Sequence, residues 1–308
     1  MRAFVFPGQG AQTIGMGREL AQAYPAARAV FDEVDEALGE RLSALIWEGD
    51  ADTLTLTQNA QPALMATSIA AFRALEAEGF GITDASFVAG HSLGEYSALC
   101  AAGALTLSDT AHLLRLRGQA MQEAVPVGIG AMAAILGLDF ETVDRICREI
   151  GGEEVVQAAN DNDPAQVVIS GHKGAVEAAA EAMKAAGAKR ALMLPVSAPF
   201  HSVLMQPAAA VMADALAGVD IQAPAVPLIA NVRAEAVTEP GAIRRLLVEQ
   251  VTGTVRWRES VANMADAGVT EFWEIGAGKA LSGMIKRIAK DAAVRNVGAP
   301  GDLAVLKG

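Results

Sequence analysis

The sequence predicts a mixed α/β chain in two parts, and three observations carry that prediction. The chain opens as strand, glycine-rich turn and helix. A second strand, turn and helix follow around Gly90-His91-Ser92-Leu93-Gly94. A stretch near the middle then alternates as β-α-β-β-α-β before the earlier pattern returns. With 308 residues, 52% of them apolar and 19% charged, the chain is long enough to bury a full core and too apolar to be disordered.

Ala3 to Phe6 is an apolar run that reads as a strand, followed by the turn Pro7-Gly8-Gln9-Gly10 and a helix from about Gly17. Gly8 and Gly10 match the first two glycines of a dinucleotide-binding G-x-G-x-x-G, but Thr13 occupies the third position. The turn therefore reads as a loop of backbone donors at a strand end. Leu64, Ile69, Phe72 and Leu75 lay a helical stripe along Pro62 to Glu78, and Ser86 to Ala89 is a short strand. A helix from Glu95 to about Ala102 comes next. Ser108 is placed to cap a further helix through Arg117 to Glu123.

From Gly128 the pattern changes. Ala131 to Leu138 reads as a strand and Phe140 to Ile150 as a helix. Val155 to Ala159 and Gln166 to Ser170 read as strands around the turn-rich Asn160-Asp161-Asn162-Asp163-Pro164. A helix from Gly174 to Ala186 and a strand from Arg190 to Val196 complete a ferredoxin-like order. This predicts a small inserted domain at 126–197, joined at Pro126 and Pro195, with 1–125 and 198–308 forming the larger domain. Strands are expected in the return at Val226 to Ala230 and Glu271 to Ile275.

The net charge of −12 argues against nucleic acid as a partner. No run approaches the ~18 uncharged apolar residues of a membrane span. The first residues are too short an apolar run for a signal peptide. Cys100 and Cys147 form no C-x-x-C pair, which fits reduced thiols in a cytoplasmic protein.

Gly-x-Ser-x-Gly between a strand and a helix is the arrangement of a nucleophile elbow. The serine stands at the helix N-terminus, where free N–H groups and the dipole favour developing negative charge. A serine hydroxyl needs a base, and the four histidines can be sorted. His91, beside Ser92, is expected to turn away and pack within the sheet. His112 reads as a core or surface residue one turn from Ser108, and His172 as a helix cap. His201 lies in Ser197-Ala198-Pro199-Phe200-His201-Ser202, a loop entering a helix, and is the best base. Asp109, Asp161, Asp163 and Asp214 each have a plain reading as cap, turn residue or solvated face, so no third triad member stands out. A backbone carbonyl can hold the imidazole tautomer instead.

Together these residues resemble the malonyl-CoA:acyl carrier protein transacylases and the related acyltransferase domains of fatty acid and polyketide synthases. The resemblance runs through Phe6-Pro7-Gly8-Gln9-Gly10, Gln61-Pro62-Ala63-Leu64, Gly90 to Glu95, Arg117, and Asn160 to Gln166 followed by Val167 to Gly171. It continues in Pro199-Phe200-His201-Ser202, Gln250 and Glu274-Ile275-Gly276-Ala277-Gly278. Asp163, Ala165 and Ala277 depart from the serine, glycine and proline common there.

The resemblance implies an α/β-hydrolase-like large domain with the ferredoxin-like one inserted. It implies Ser92 as nucleophile, His201 as base held by a carbonyl near Gln250, and the N–H groups of Gln9 and Leu93 as oxyanion hole. Leu93 is also where elbow geometry places a donor. It further implies Arg117, Gln61, Phe200, Asn160, Asn162, Asn231 and Gln250 as substrate-binding residues. Arg117 would meet the malonyl carboxylate, for which a guanidinium fork suits both oxygens, and Phe200 would crowd an α-methyl group. The partners implied are malonyl-CoA and an acyl carrier protein, with no metal and no resident cofactor. Lys189, Arg190, Lys279, Lys286 and Arg287 are candidates for a basic face toward an acidic carrier. A serine hydrolase or thioesterase, a carrier-docking module and an acyltransferase serving a polyketide synthase are the alternatives.

Overall fold

The computed structural model describes residues 1–196 and 198–306. Ser197, from the loop before His201, and residues 307–308 lie outside them, so the expected domain limits are described only up to those positions.

The opening strand β1 (Arg2–Phe6) lies at the centre of a six-stranded sheet, because its side chains are apolar on both faces. Its neighbours are β2 (Phe87–Gly90) and β9 (Glu271–Ile275), both parallel to it. With β7 (Leu228–Ile229), β8 (Ala236–Val237) and β10 (Ala293–Val297) the order is β10-β9-β1-β2-β7-β8. Only β8 runs antiparallel, to β7. The expected strand at Val226 to Ala230 shrinks to two residues, preceded by Pro227, whose carbonyl accepts from Val88 N.

A second, antiparallel sheet has the order β4-β5-β3-β6 from β3 (Gly130–Leu136), β4 (Val156–Asp163), β5 (Gln166–His172) and β6 (Arg190–Met193). Helices Phe140–Ile150 and Lys173–Ala185 cover one face, against Ala133, Ile135, Val167 and Ile169. The opposite face presents Met132, Ala134 and Val168, which pack with Leu194 and Phe200. The period of two along β3 thus separates a core face from a face turned toward the larger sheet. β6 stops short of the expected Val196 because Pro195 has no N–H to continue the ladder.

The expected turn at Asn160–Asp163 is strand instead. Turn propensity there is overridden by partners in the larger part. Asp161 pairs with Arg258, Asp163 with Arg287, and Asn162 Oδ1 with His91 Nε2 at 2.8 Å. The backbone joins too: Asp161 N donates to Val255 O and Val255 N to Ala159 O, each at 2.9 Å. Two bulges let β4 serve both sides, and the chain turns at Pro164-Ala165.

Two other local expectations change. Thr106, not Ser108, caps the helix Leu107–Glu123, its hydroxyl accepting from Asp109 N at 3.0 Å, while Ser108 Oγ donates to Glu33. His172 does not cap the following helix through its ring; its Nδ1 accepts from Val155 N at 2.9 Å and fixes the start of β4.

The helix Thr57–Ala77 carries Pro62 in its interior, which orphans the carbonyl of Gln58. Arg115 Nη1 donates to that carbonyl at 2.7 Å. Gly118 permits the approach, since a Cβ there would lie 2.4 Å from Gln58 Cα. The close crossing sets Arg117 beside Gln61. Among the described residues no helix is long and apolar enough to cross a membrane.

Arg258→Ala strands the buried Asp161 carboxylate and should lower the unfolding free energy in urea by about 2–3 kcal/mol. Adding Asp161→Asn should restore part of it. A change below about 0.5 kcal/mol would mean that the pair behaves as a solvated one.

Candidate active site

The elbow depends on two absent side chains. A Cβ on Gly90 would lie 1.9 Å from the Gly94 carbonyl, and one on Gly94 would lie 2.3 Å from Phe6 O. Between them Ser92 takes φ 52°, a left-handed conformation unfavourable for an L-residue. Asn231 holds it there: Ser92 N donates to Asn231 Oδ1 at 2.8 Å, and Asn231 Nδ2 donates to Gly90 O at 2.7 Å.

His201, also at positive φ (56°), brings Nε2 to 2.8 Å from Ser92 Oγ. Its Nδ1 lies 2.9 Å from the backbone carbonyl of Gln250. A carbonyl only accepts, so Nδ1 carries the proton and Nε2 is the bare nitrogen that accepts from the serine hydroxyl. Burial, and then the charge of Arg117, push the imidazole down to about 3, which keeps it neutral. None of the four aspartates weighed for a triad touches it. Asp109 belongs to a helix cap, Asp161 and Asp163 pair with arginines, and Asp214 is exposed.

Arg117 is only 1% exposed. Its Nη1 donates to Gln61 Oε1 at 2.7 Å; its Nη2 donates to Gln250 Oε1 at 2.7 Å and to Ser92 Oγ at 3.1 Å. The guanidinium lies over the Tyr96 ring, 5.7 Å from its centroid. Its Nε has no partner among the described residues. The solvated helix face that sequence alone allows for this arginine is thus replaced by a buried cation beside the serine.

These groups open on a cavity of about 260 Å³. Ser92, His201, Arg117, Gln61, Gln9, Leu93, Phe200, Asn160 and Asn162 all line it. Met132, Ala134, Val168 and Leu194 form its apolar wall, while Leu281 and Met284 come from the helix Ala280–Ile288. Glu274 fixes that helix by accepting from Leu281 N and Ser282 N at 3.1 and 2.7 Å. Among the described residues the N–H groups of Gln9 and Leu93 make no hydrogen bond within the protein, and both residues face the cavity beside Ser92.

Three placements differ from expectation. Asn231 and Gln250 stand behind the cavity wall, buried, as supports of the elbow, the imidazole and the arginine. His91 does not pack within the sheet; it lines the cavity, bonded to Asn162 and tilted against Trp257 at 5.8 Å between centroids. Glu95, which the sequence does not single out, is buried and accepts from Gln250 Nε2 at 2.9 Å and Asn231 N at 3.1 Å. An acid at the second position of an elbow helix that carries no other charge is the signal that marks it.

The family described as acyl transferase domain matches residues 3–298. A malonyl CoA-acyl carrier protein transacylase of Bacillus subtilis is 53% identical over 287 residues, 93% of this chain and 90% of its own. The structure of an acyl-carrier-protein-S-malonyltransferase from Bartonella henselae superposes with a TM-score of 0.97 at 55% identity, covering 99% of this chain and 98% of that one. A malonyl-transacylase solved in complex with its type II polyketide acyl-carrier protein superposes with a TM-score of 0.96 at 44% identity, covering 99% and 98%. With its elbow, its buried arginine and a match over nearly its whole length, the chain belongs to the acyl transferase domain family.

Proposed function

We propose that this chain transfers malonyl from malonyl-CoA to the phosphopantetheine thiol of an acyl carrier protein, through an ester on Ser92. The observation that carries this reading is Arg117 Nη2 at 3.1 Å from Ser92 Oγ: a buried cation beside the nucleophile suits an acyl group with a free carboxylate. The named activities of the Bacillus and Bartonella relatives support it.

Neutral His201 takes the hydroxyl proton as Ser92 Oγ attacks the thioester carbonyl. The tetrahedral oxyanion lies between the N–H groups of Gln9 and Leu93. As the C–S bond breaks, His201 returns the proton to the departing coenzyme A thiolate. The carrier's thiol then loses its proton to His201 and attacks the ester, and Ser92 leaves with that proton. Every bond change is an acyl transfer, so the scheme calls for no metal or resident cofactor. The wall of Met132, Val168, Leu194 and Phe200 excludes water from the ester, which favours transfer over hydrolysis, and Phe200 crowds an α-methyl group.

We read residues 126–197 as an inserted ferredoxin-like domain and the rest as an α/β-hydrolase-like domain. The strand order β4-β5-β3-β6 and the parallel sheet that ends in an elbow support this. Lys279 precedes the helix that lines the cavity, Lys286 lies in its last turn, and both are exposed, as are Lys189 and Arg190. Arg287 is a weaker candidate for carrier docking, because it is tied to the buried Asp163 at 2.7 Å. Use of a coenzyme A thioester and two buried free cysteines fit a cytoplasmic enzyme. Supply of fatty acid synthesis is the reading for the pathway, and the polyketide carrier bound by one relative leaves that second use open to the same site.

Intact-mass spectrometry should show a malonyl adduct after malonyl-CoA is added, its transfer to carrier protein, and no adduct with Ser92→Ala. Arg117→Ala should lose roughly a hundredfold or more in kcat/KM for malonyl-CoA while gaining on acetyl-CoA. An adduct that decays to free malonate with the carrier unmodified would make the protein a hydrolase.

Because His201 is held neutral, the base stays competent as pH falls. The value of kcat/KM for malonyl-CoA should therefore not fall from pH 7 down to about pH 5. An acid limb centred near the ordinary histidine value of about 6.5 would contradict the buried geometry.

A further inference from the structure

Glu95 sits one carboxamide away from Arg117. Its Oε2 accepts from Gln250 Nε2 at 2.9 Å, which fixes the amide so that Gln250 Oε1 faces Arg117 Nη2 at 2.7 Å. The same Oε2 accepts from Asn231 N at 3.1 Å, and Gln250 Nε2 also reaches Ser92 O at 3.0 Å. A carboxylate and a guanidinium, both 1% exposed, thus balance each other through a polarised amide. A second anion placed on Arg117 would leave two negative charges sharing one buried cation.

We propose that Glu95 is the counter-charge of the acyl-carboxylate subsite, a positioning residue that acts through Gln250 and Arg117 and takes up a proton from solvent when a carboxylate-bearing acyl group docks there. The proposal rests on the malonyl reading above.

The surroundings favour proton uptake at this residue. Burial already pushes the Glu95 carboxyl up to about 7, against the opposing pull of Gln250, Asn231 and Arg117. Among the described residues Arg117, on the helix Leu107–Glu123, is the one charge acting on it; β1, β2, β7 and the helix Thr57–Ala77, which also pack on the elbow helix, add none. Tyr96, pushed up to about 12 by burial, stays neutral, and His201 lies beyond Gln250. An incoming carboxylate offsets Arg117 and raises Glu95 further. The protonated carboxyl keeps one bare oxygen, so Oε2 still accepts from Gln250 and Asn231 and the elbow is not released.

The bound state holds more protons, so malonyl binding weakens as pH rises through about 7. With a rise of one unit or more on binding, Kd should increase about fivefold or more between pH 7 and pH 9. Acetyl-CoA carries the same coenzyme phosphates without the carboxylate and serves as the control.

The test is calorimetric titration of Ser92→Ala with malonyl-CoA at pH 7.5 in buffers of different ionisation enthalpy. The expected result is uptake of roughly half a proton or more per site, close to none with acetyl-CoA, and none in Ser92→Ala/Glu95→Gln. Uptake should persist in Ser92→Ala/His201→Asn, a variant that decides the matter even if Glu95→Gln fails to fold. Malonyl-CoA binding without uptake overturns the proposal while leaving the malonyl reading intact. Uptake that survives Glu95→Gln, or is lost with His201→Asn, places the proton on a group other than Glu95 and also overturns it. No binding of malonyl-CoA overturns the malonyl reading and the proposal with it.

Discussion

A guanidinium removed from water must have its charge answered, and the site is organised around meeting that requirement for Arg117. Gln61, Gln250 and Ser92 Oγ accept its hydrogen bonds, Tyr96 lies beneath it, and Glu95 supplies the opposite charge behind Gln250. Gln250 is the junction. Its side chain holds Arg117, its backbone carbonyl fixes the tautomer of His201, and its amide nitrogen reaches the backbone of Ser92. Ser92, His201 and Arg117 therefore share one support, and a shift in that residue moves all three. Low local dielectric makes each of these contacts stronger and each missing one costlier.

The fold supplies this arrangement by bringing backbones closer than side chains allow. Gly90 and Gly94 let the elbow press against β1, and Gly118 lets two helices cross where Arg115 repairs the gap left by Pro62. The antiparallel sheet then closes the cavity from above with one face of β3 and β5. Its strand β4 is locked down by the Asp161–Arg258 and Asp163–Arg287 pairs and by the His91–Asn162 bond. Those contacts set the distance between the apolar wall and Ser92, so the width of the cavity depends on polar pairs that lock the two sheets together.

Much of this was legible in the sequence, and the divide is physical. Elements governed by local periodicity and turn chemistry were found within a residue or two: β1, β9, the elbow helix and Phe140–Ile150. Ser92 and His201 could be selected because only certain chemistry suits a strand-to-helix serine and a loop histidine. What escaped depends on partners far away in the chain. Asn160–Asp163 have the composition of a turn and become strand because Arg258, Arg287 and His91 reach them. Asn231 is 139 residues from the serine it clamps, and Gln250 is 155 from Glu95, so spacing gave neither contact away. Ser108 and Thr106 are both competent caps, and only the register of the helix separates them.

In the proposed reaction one buried arginine positions the acyl carboxylate while the elbow holds the reacting carbonyl. A crystal structure of Ser92→Ala with malonyl-CoA bound tests it most directly. The malonyl carboxylate should be found in a two-pronged contact with Arg117, and the thioester oxygen between the N–H groups of Gln9 and Leu93. A carboxylate found elsewhere in the cavity, with Arg117 still bonded only to Gln61 and Gln250, would contradict it.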